Sequence, residues 1–133
     1  MSPNEKVFKK EYAKELFSIA ENDFVTACEL AKSPSIRKET ILFHLEQTIE
    51  KALKACLVQI GIPVPFTHDL YAIVQKFPQN DLPPGGYSLH DLTPYATVKR
   101  YEEGNFVLTN DDVNSAKDNA DAVLKWARPR IQK

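Results

Sequence analysis

Residues Phe43–Leu57 read FHLEQTIEKALKACL. One side of this stretch is helix core: Leu42, Leu45, Ile49, Ala52, Leu53, Cys56, Leu57 and Ile60 recur every three or four residues. The other side carries His44, Gln47, Glu50, Lys51 and Lys54. Residues three and four apart share a helix face, so the last four form one continuous polar strip. The helix is expected to end near Ile60, where Gly61 supplies a stop and Pro63 and Pro65 prevent resumption.

Working outward, apolar residues recur at helical spacing from Phe8 to Lys32: Phe8, Tyr12, Leu16, Ile19, Ala20, Phe24, Ala27, Cys28 and Ala31. The SPS of Ser33–Ser35 then separates two helices, with Ser33 read as the cap of the second and Pro34 as its first residue, where a missing N–H costs nothing. THDLYAIVQKF, from Thr67, suits a short helix to about Lys76, with Thr67 or Asp69 as its cap. PQNDLPPGGYS is a loop by composition. LHDLTPYATVKRY reads as short and helical with Pro94 in its first turn, and EEGNFVL as a loop. Thr109 followed by Asp112 resembles a capping box. The last helix then buries Val113, Ala116, Ala120, Val123, Leu124, Ala127 and Ile131, with Pro129 near its end. These elements predict an all-α fold without strands: an up-and-down four-helix bundle with an additional short helix, in one domain spanning residues 1–133.

The bulk numbers narrow the function. The 133 residues are 43% apolar, enough for a core, and 26% charged with a net charge of −1. A dedicated non-specific nucleic-acid binder carries a basic excess, because phosphate neutralisation drives that affinity. Any such contact here must come from a local patch. Cys28 and Cys56 fall at apolar helical positions and read as buried free thiols. No basic segment precedes an apolar run at the N-terminus, and no run approaches the roughly 20 residues that span a bilayer. The expectation is a soluble cytoplasmic protein with no membrane contact.

Three places carry chemistry-bearing residues. On pattern alone the strip Gln47, Glu50, Lys51, Lys54 reads as a solvated face with an (i, i+4) pair between Glu50 and Lys54. Its functional reading has Lys51 and Lys54 contacting phosphate while Glu50 orients one of them. In PFTHDL, His68 and Asp69 start a short helix, as a cap and a backbone-bonded imidazole or as an anion site at a helix N-terminus. A carboxylate at Asp69 already occupies part of that role. Arg100 and Tyr101 stand at a helix C-terminus, where cations suit the macrodipole. An Arg there can also hold a phosphate bidentately while Tyr stacks on a base. The three histidines, His44, His68 and His90, form no close cluster with cysteine, so neither a zinc site nor another cofactor is expected. PPGG lacks the Lys-Ser/Thr of a phosphate loop.

Taken together, FHLEQTIEKALKACLVQIGIPVPFTHDL resembles the core of HEPN domains, helical domains named for higher eukaryotes and prokaryotes nucleotide-binding. The matching pattern is an aromatic at Phe43, then Gln47, Glu50-Lys51 and Lys54, and a Thr67-His68-Asp69-Leu70 after a Pro-containing loop. The segment from Tyr95 to Ala127 is similar to the family's Arg-Tyr region and final helix. The resemblance implies an up-and-down bundle, commonly a homodimer. It also implies association with a minimal nucleotidyltransferase, in some members as half of a toxin–antitoxin pair. Other members are metal-independent ribonucleases that use an Arg, a short spacer and a His. Arg37 and His44, separated by KETILF, formally fit that spacing, but they lie at the start of the second helix, whereas the ribonuclease pair lies near the segment matched by Arg100. No histidine follows Arg100, and Arg-Tyr-Glu stands where many nucleotidyltransferase-linked members have Arg-Tyr-Pro.

The expectation is therefore a non-catalytic HEPN-type bundle that dimerises and binds a nucleotide such as ATP or GTP, a nucleotidyltransferase partner, or both. Its candidate residues are Gln47, Glu50, Lys51, Lys54, His68, Asp69, Arg100 and Tyr101. One alternative is a ribonuclease toxin acting on RNA through Arg37 and His44, with His as general acid and base. Another is a purely structural interaction domain.

Overall fold

The structure is a computed structural model that describes residues 3–96 and 107–131. In chain order it contains β1 (Glu5–Lys6), α1 (Tyr12–Leu30), α2 (Lys38–Gln59), β2 (Val64–Pro65), α3 (Leu70–Val74), a 3-10 segment (Gly86–Ala96) and α4 (Asn110–Ile131). The fold is all-α, as the periodicity predicts. Three long helices carry it, and α3 with the 3-10 segment closes the remaining side. Among the described residues no helix is long and apolar enough to cross a membrane.

α2 is the centre of the molecule. It packs along α1 and α4 and also against the 3-10 segment, α3 and β2. A helix covered from several directions buries more than one stripe. Alongside Leu42, Leu45, Ile49, Leu53 and Leu57, the polar residues Glu46, Gln47, Thr48 and Glu50 are buried. Every expected core position of α2 is buried except Ile60, which is the C-cap and half-exposed. Gly61 ends the helix at φ +75°, a conformation open to glycine at no steric cost. Its N–H bonds to Val58 and that of Ile62 to Leu57, which together close the carbonyl end.

Several boundaries differ from the sequence reading. α1 begins at Tyr12, not Phe8, and its buried face runs through Ala13, Leu16, Phe17, Ala20 and Ala27. That face is rotated by about one residue from the expected one. Ile19 and Ala31 are exposed, and Cys28 is half-buried where a buried thiol was expected. Ser33 does not cap α2: its hydroxyl pairs with that of Ser35, and its carbonyl closes a turn with the Ile36 N–H. The chain needs this wider connection to reverse onto α1, so α2 starts at Lys38 after an extended Arg37.

β1 and β2 were not foreseen. Two residues on each side pair antiparallel, Glu5 with Pro65 and Lys6 with Val64, and the Phe66 N–H bonds to the Asn4 carbonyl. A strand this short leaves no periodicity to read; distant pairing creates it. Pro94 lies in the last turn of the 3-10 segment, not the first, because helical turns already begin at Gly86, where Gly85 and Gly86 turn the chain at positive φ. At α4 the capping box forms as expected. The Asp112 N–H donates to Thr109 Oγ1, the Thr109 N–H donates to Asp112 Oδ2, and all seven expected core residues are buried.

Candidate functional site

The polar strip of α2 is not a solvated face. Two neighbouring networks occupy it, each built from a lysine of α2 and a carboxylate. In the first, Lys51 donates to Asp23 of α1 at 2.7 Å, and His44 donates from Nδ1 to the other oxygen of Asp23 at 3.1 Å. Asp23 follows the spacing of Ala20 and Ala27, so it faces α2 from the packed side of α1. In the second, Lys54 donates to Glu50 at 3.1 Å and to the Thr67 carbonyl at 2.8 Å, while His68 donates from Nδ1 to Glu50 at 2.8 Å. The (i, i+4) pair predicted from sequence is present, but deeper than expected: the Glu50 side chain is 5% exposed and that of Lys54 16%.

The corner Phe66–Leu70 is held in place by the β1–β2 pairing on one side and by α3 on the other. Asp69 caps α3, accepting from the Tyr71 N–H. Thr67 is not the helix cap; its hydroxyl accepts from the Asp69 N–H, which shapes the approach to α3. Asp69 also accepts from His90 Nδ1 of the 3-10 segment at 3.0 Å, and Thr93 accepts from the Leu70 N–H. His68 and Asp69 therefore belong to the same surface as Glu50 and Lys54. Phe66 and Tyr71 flank this corner, and both are exposed. Tyr71 packs on Tyr87 and His90.

Sequence reasoning missed Asp23 and Glu46. Glu46 is fully buried beneath the strip; its Oε1 accepts from Gln47 Nε2 at 2.7 Å, and its Oε2 has no hydrogen-bond partner among the described residues. Burial first, and the charge of nearby Glu50 second, push its carboxyl up to about 9, so it is neutral at pH 7. The signal was present: Glu46 shares the spacing of Leu42, Ile49 and Leu53, and Asp23 that of Ala20 and Ala27. An acid in phase with the core is the readable anomaly in both cases.

Arg100 and Tyr101 lie outside the described residues. Arg37 and His44 bind separate carboxylates: Arg37, ahead of α2, pairs with Glu39, whereas His44 pairs with Asp23. Among the described residues no group of three or more His, Cys, Asp or Glu side chains is placed to hold a metal ion.

The family model described as HEPN domain matches residues 13–130. This chain belongs to the HEPN family. The match takes in all three long helices, save Tyr12 and Ile131 at the outer ends of α1 and α4, together with the corner between α2 and α3. Association with nucleotidyltransferases is a general property of HEPN domains, and they often occur as dimers. No curated protein and no solved structure matches the chain.

Proposed function

We propose that this HEPN domain is a non-catalytic binding module, and that the α2 strip with the Phe66–Tyr71 corner is its recognition face for a minimal nucleotidyltransferase. The observation that carries this reading is the pairing of every described cation of the strip. Lys51 is neutralised by Asp23, and Lys54 by Glu50 and a carbonyl. A polyphosphate approaching them would have to displace partners that are already partly desolvated and would leave Asp23 or Glu50 uncompensated. A self-neutralised polar patch flanked by exposed aromatics suits a protein surface better, because aromatic anchors supply much of the affinity at such interfaces.

The test combines two titrations on the purified protein. One adds ATP and GTP to the wild type and to Lys51→Ala/Lys54→Ala. The other adds a minimal nucleotidyltransferase from the same genome to the wild type and to Phe66→Ala and Tyr71→Ala. The expected result is no nucleotide heat, and saturable nucleotidyltransferase binding that weakens about tenfold or more in at least one aromatic variant. Saturable nucleotide heat that vanishes in a still-folded lysine variant would replace this reading with a nucleotide site. Aromatic variants that lose only self-association would replace it with a dimer interface.

A further inference from the structure

A concave site lies outside the α2 strip and shares no residue with it. It is a cavity of about 540 Å³ between the C-terminal end of α2, the segment after α3 and the last turns of α4. That volume falls in the range of small-molecule sites, roughly 300–1,000 Å³. Its inner wall is apolar: Phe77 and Cys56 are buried, and Trp126 stands edge-on to Phe77 with ring centroids 5.6 Å apart. Burial pushes the Cys56 thiol up to about 12, so it contributes a neutral, unreactive surface.

The outer wall is cationic and pre-arranged. The Arg130 guanidinium lies 3.9 Å from the Trp126 ring centroid. It donates to the Trp126 carbonyl and to Asp81, each at 2.8 Å. Three contacts hold this cation at the cavity edge, so little side-chain entropy remains to be lost on binding. Lys10 lines the same cavity, is exposed, and makes no ion pair or hydrogen bond from its side chain among the described residues. Among the described residues, two cations stand against the single carboxylate of Asp81, which leaves the opening net positive beside an aromatic wall.

We propose that this cavity binds a small aromatic anion, with its ring against Phe77 and Trp126 and its charged group at Lys10 and Arg130. The charge selects the head group and the aromatic wall selects the body. Lys10 is the cation with spare valence, and Arg130 completes the contact without leaving Asp81.

The experiment titrates 2-naphthoate by calorimetry into the wild type, Lys10→Ala and Lys51→Ala/Lys54→Ala, and titrates the uncharged isostere 2-naphthamide into the wild type. The expected result is saturable heat with 2-naphthoate, with an affinity about fivefold weaker in Lys10→Ala, unchanged in the lysine double variant, and weaker still for the uncharged analogue. Because Lys10 is exposed, Lys10→Ala keeps the wild-type melting temperature. Absence of saturable heat at millimolar naphthoate overturns the proposal. Equal affinity for the charged and uncharged compounds overturns its anion selectivity, and loss of binding in the double variant moves the site to the α2 strip. None of these outcomes depends on whether the strip recognises a nucleotidyltransferase.

Discussion

Asp23 and Lys51 are 28 residues apart in sequence and 2.7 Å apart in the folded protein. Asp23 also accepts from His44, so one carboxylate of α1 organises two residues of α2. Their side chains are 15–25% exposed, deep enough for an orphaned partner to matter.

Asp23→Ala removes the acceptor and leaves Lys51 and His44 facing a partly desolvated surface. The expected cost is about 1–3 kcal/mol of stability. Asp23→Ala/Lys51→Met should be less destabilising than the sum of the two single changes, with a coupling of about 0.5 kcal/mol or more. Urea melts of the four proteins measure this, and strict additivity would remove the pair from any structural role.

Glu46 makes stability depend on pH. Its carboxyl sits at about 9 in the folded protein against an ordinary value of 4.5. The folded state therefore keeps a proton that the unfolded chain releases. That contribution is fully present below the unfolded value and is lost as pH rises through the folded one. From this group alone, stability falls as pH rises between those two values. Glu46→Gln has no proton to lose. It should match the wild type near pH 5 and exceed it at pH 8, with a higher urea midpoint. Parallel pH profiles for the two proteins would show that Glu46 does not titrate in this way.

The two thiols should separate in reactivity. Cys28 is half-buried on α1, whereas Cys56 is 2% exposed. A disulfide reagent at pH 8 is expected to label Cys28 readily in the native protein and Cys56 far more slowly, because burial holds the Cys56 thiol protonated. Mass spectrometry of a time course distinguishes the sites. Rapid labelling of both would contradict the packing around α2.

Two glycines should differ in their tolerance of alanine. Gly61 and Gly85 both have positive φ, but a Cβ at Gly61 meets open space, whereas one at Gly85 would lie 2.9 Å from Leu89 Cδ2. Gly61→Ala carries the left-handed penalty alone, about 1 kcal/mol. Gly85→Ala adds a clash with a buried leucine and should cost more, about 2 kcal/mol. Thermal melts rank them, and the reverse order would point to a different turn before the 3-10 segment.

Much of the fold was legible in the sequence because it is local. The apolar spacing of α2 and α4, the Gly61 stop and the Thr109–Asp112 capping box each depend on residues within one or two turns of each other. The Glu50–Lys54 pair was legible for the same reason. The partners of the strip were not: Asp23 comes from another helix, and His68 and the Thr67 carbonyl from beyond a loop. Periodicity marks which face of a helix is apolar, but not how many neighbours will cover it.

By itself, then, the sequence determined an all-α bundle of the HEPN type, the span of its last helix and the residues that make up the polar strip. Tertiary structure alone decided what the strip is. Packing from several sides buried Glu46 and Glu50 and closed Lys51 and Lys54 onto carboxylates. A two-residue strand pair anchored the corner that brings His68 to Glu50. Those outcomes follow from the mutual burial of groups distant in sequence, where desolvation makes every charge find a partner or lose its proton.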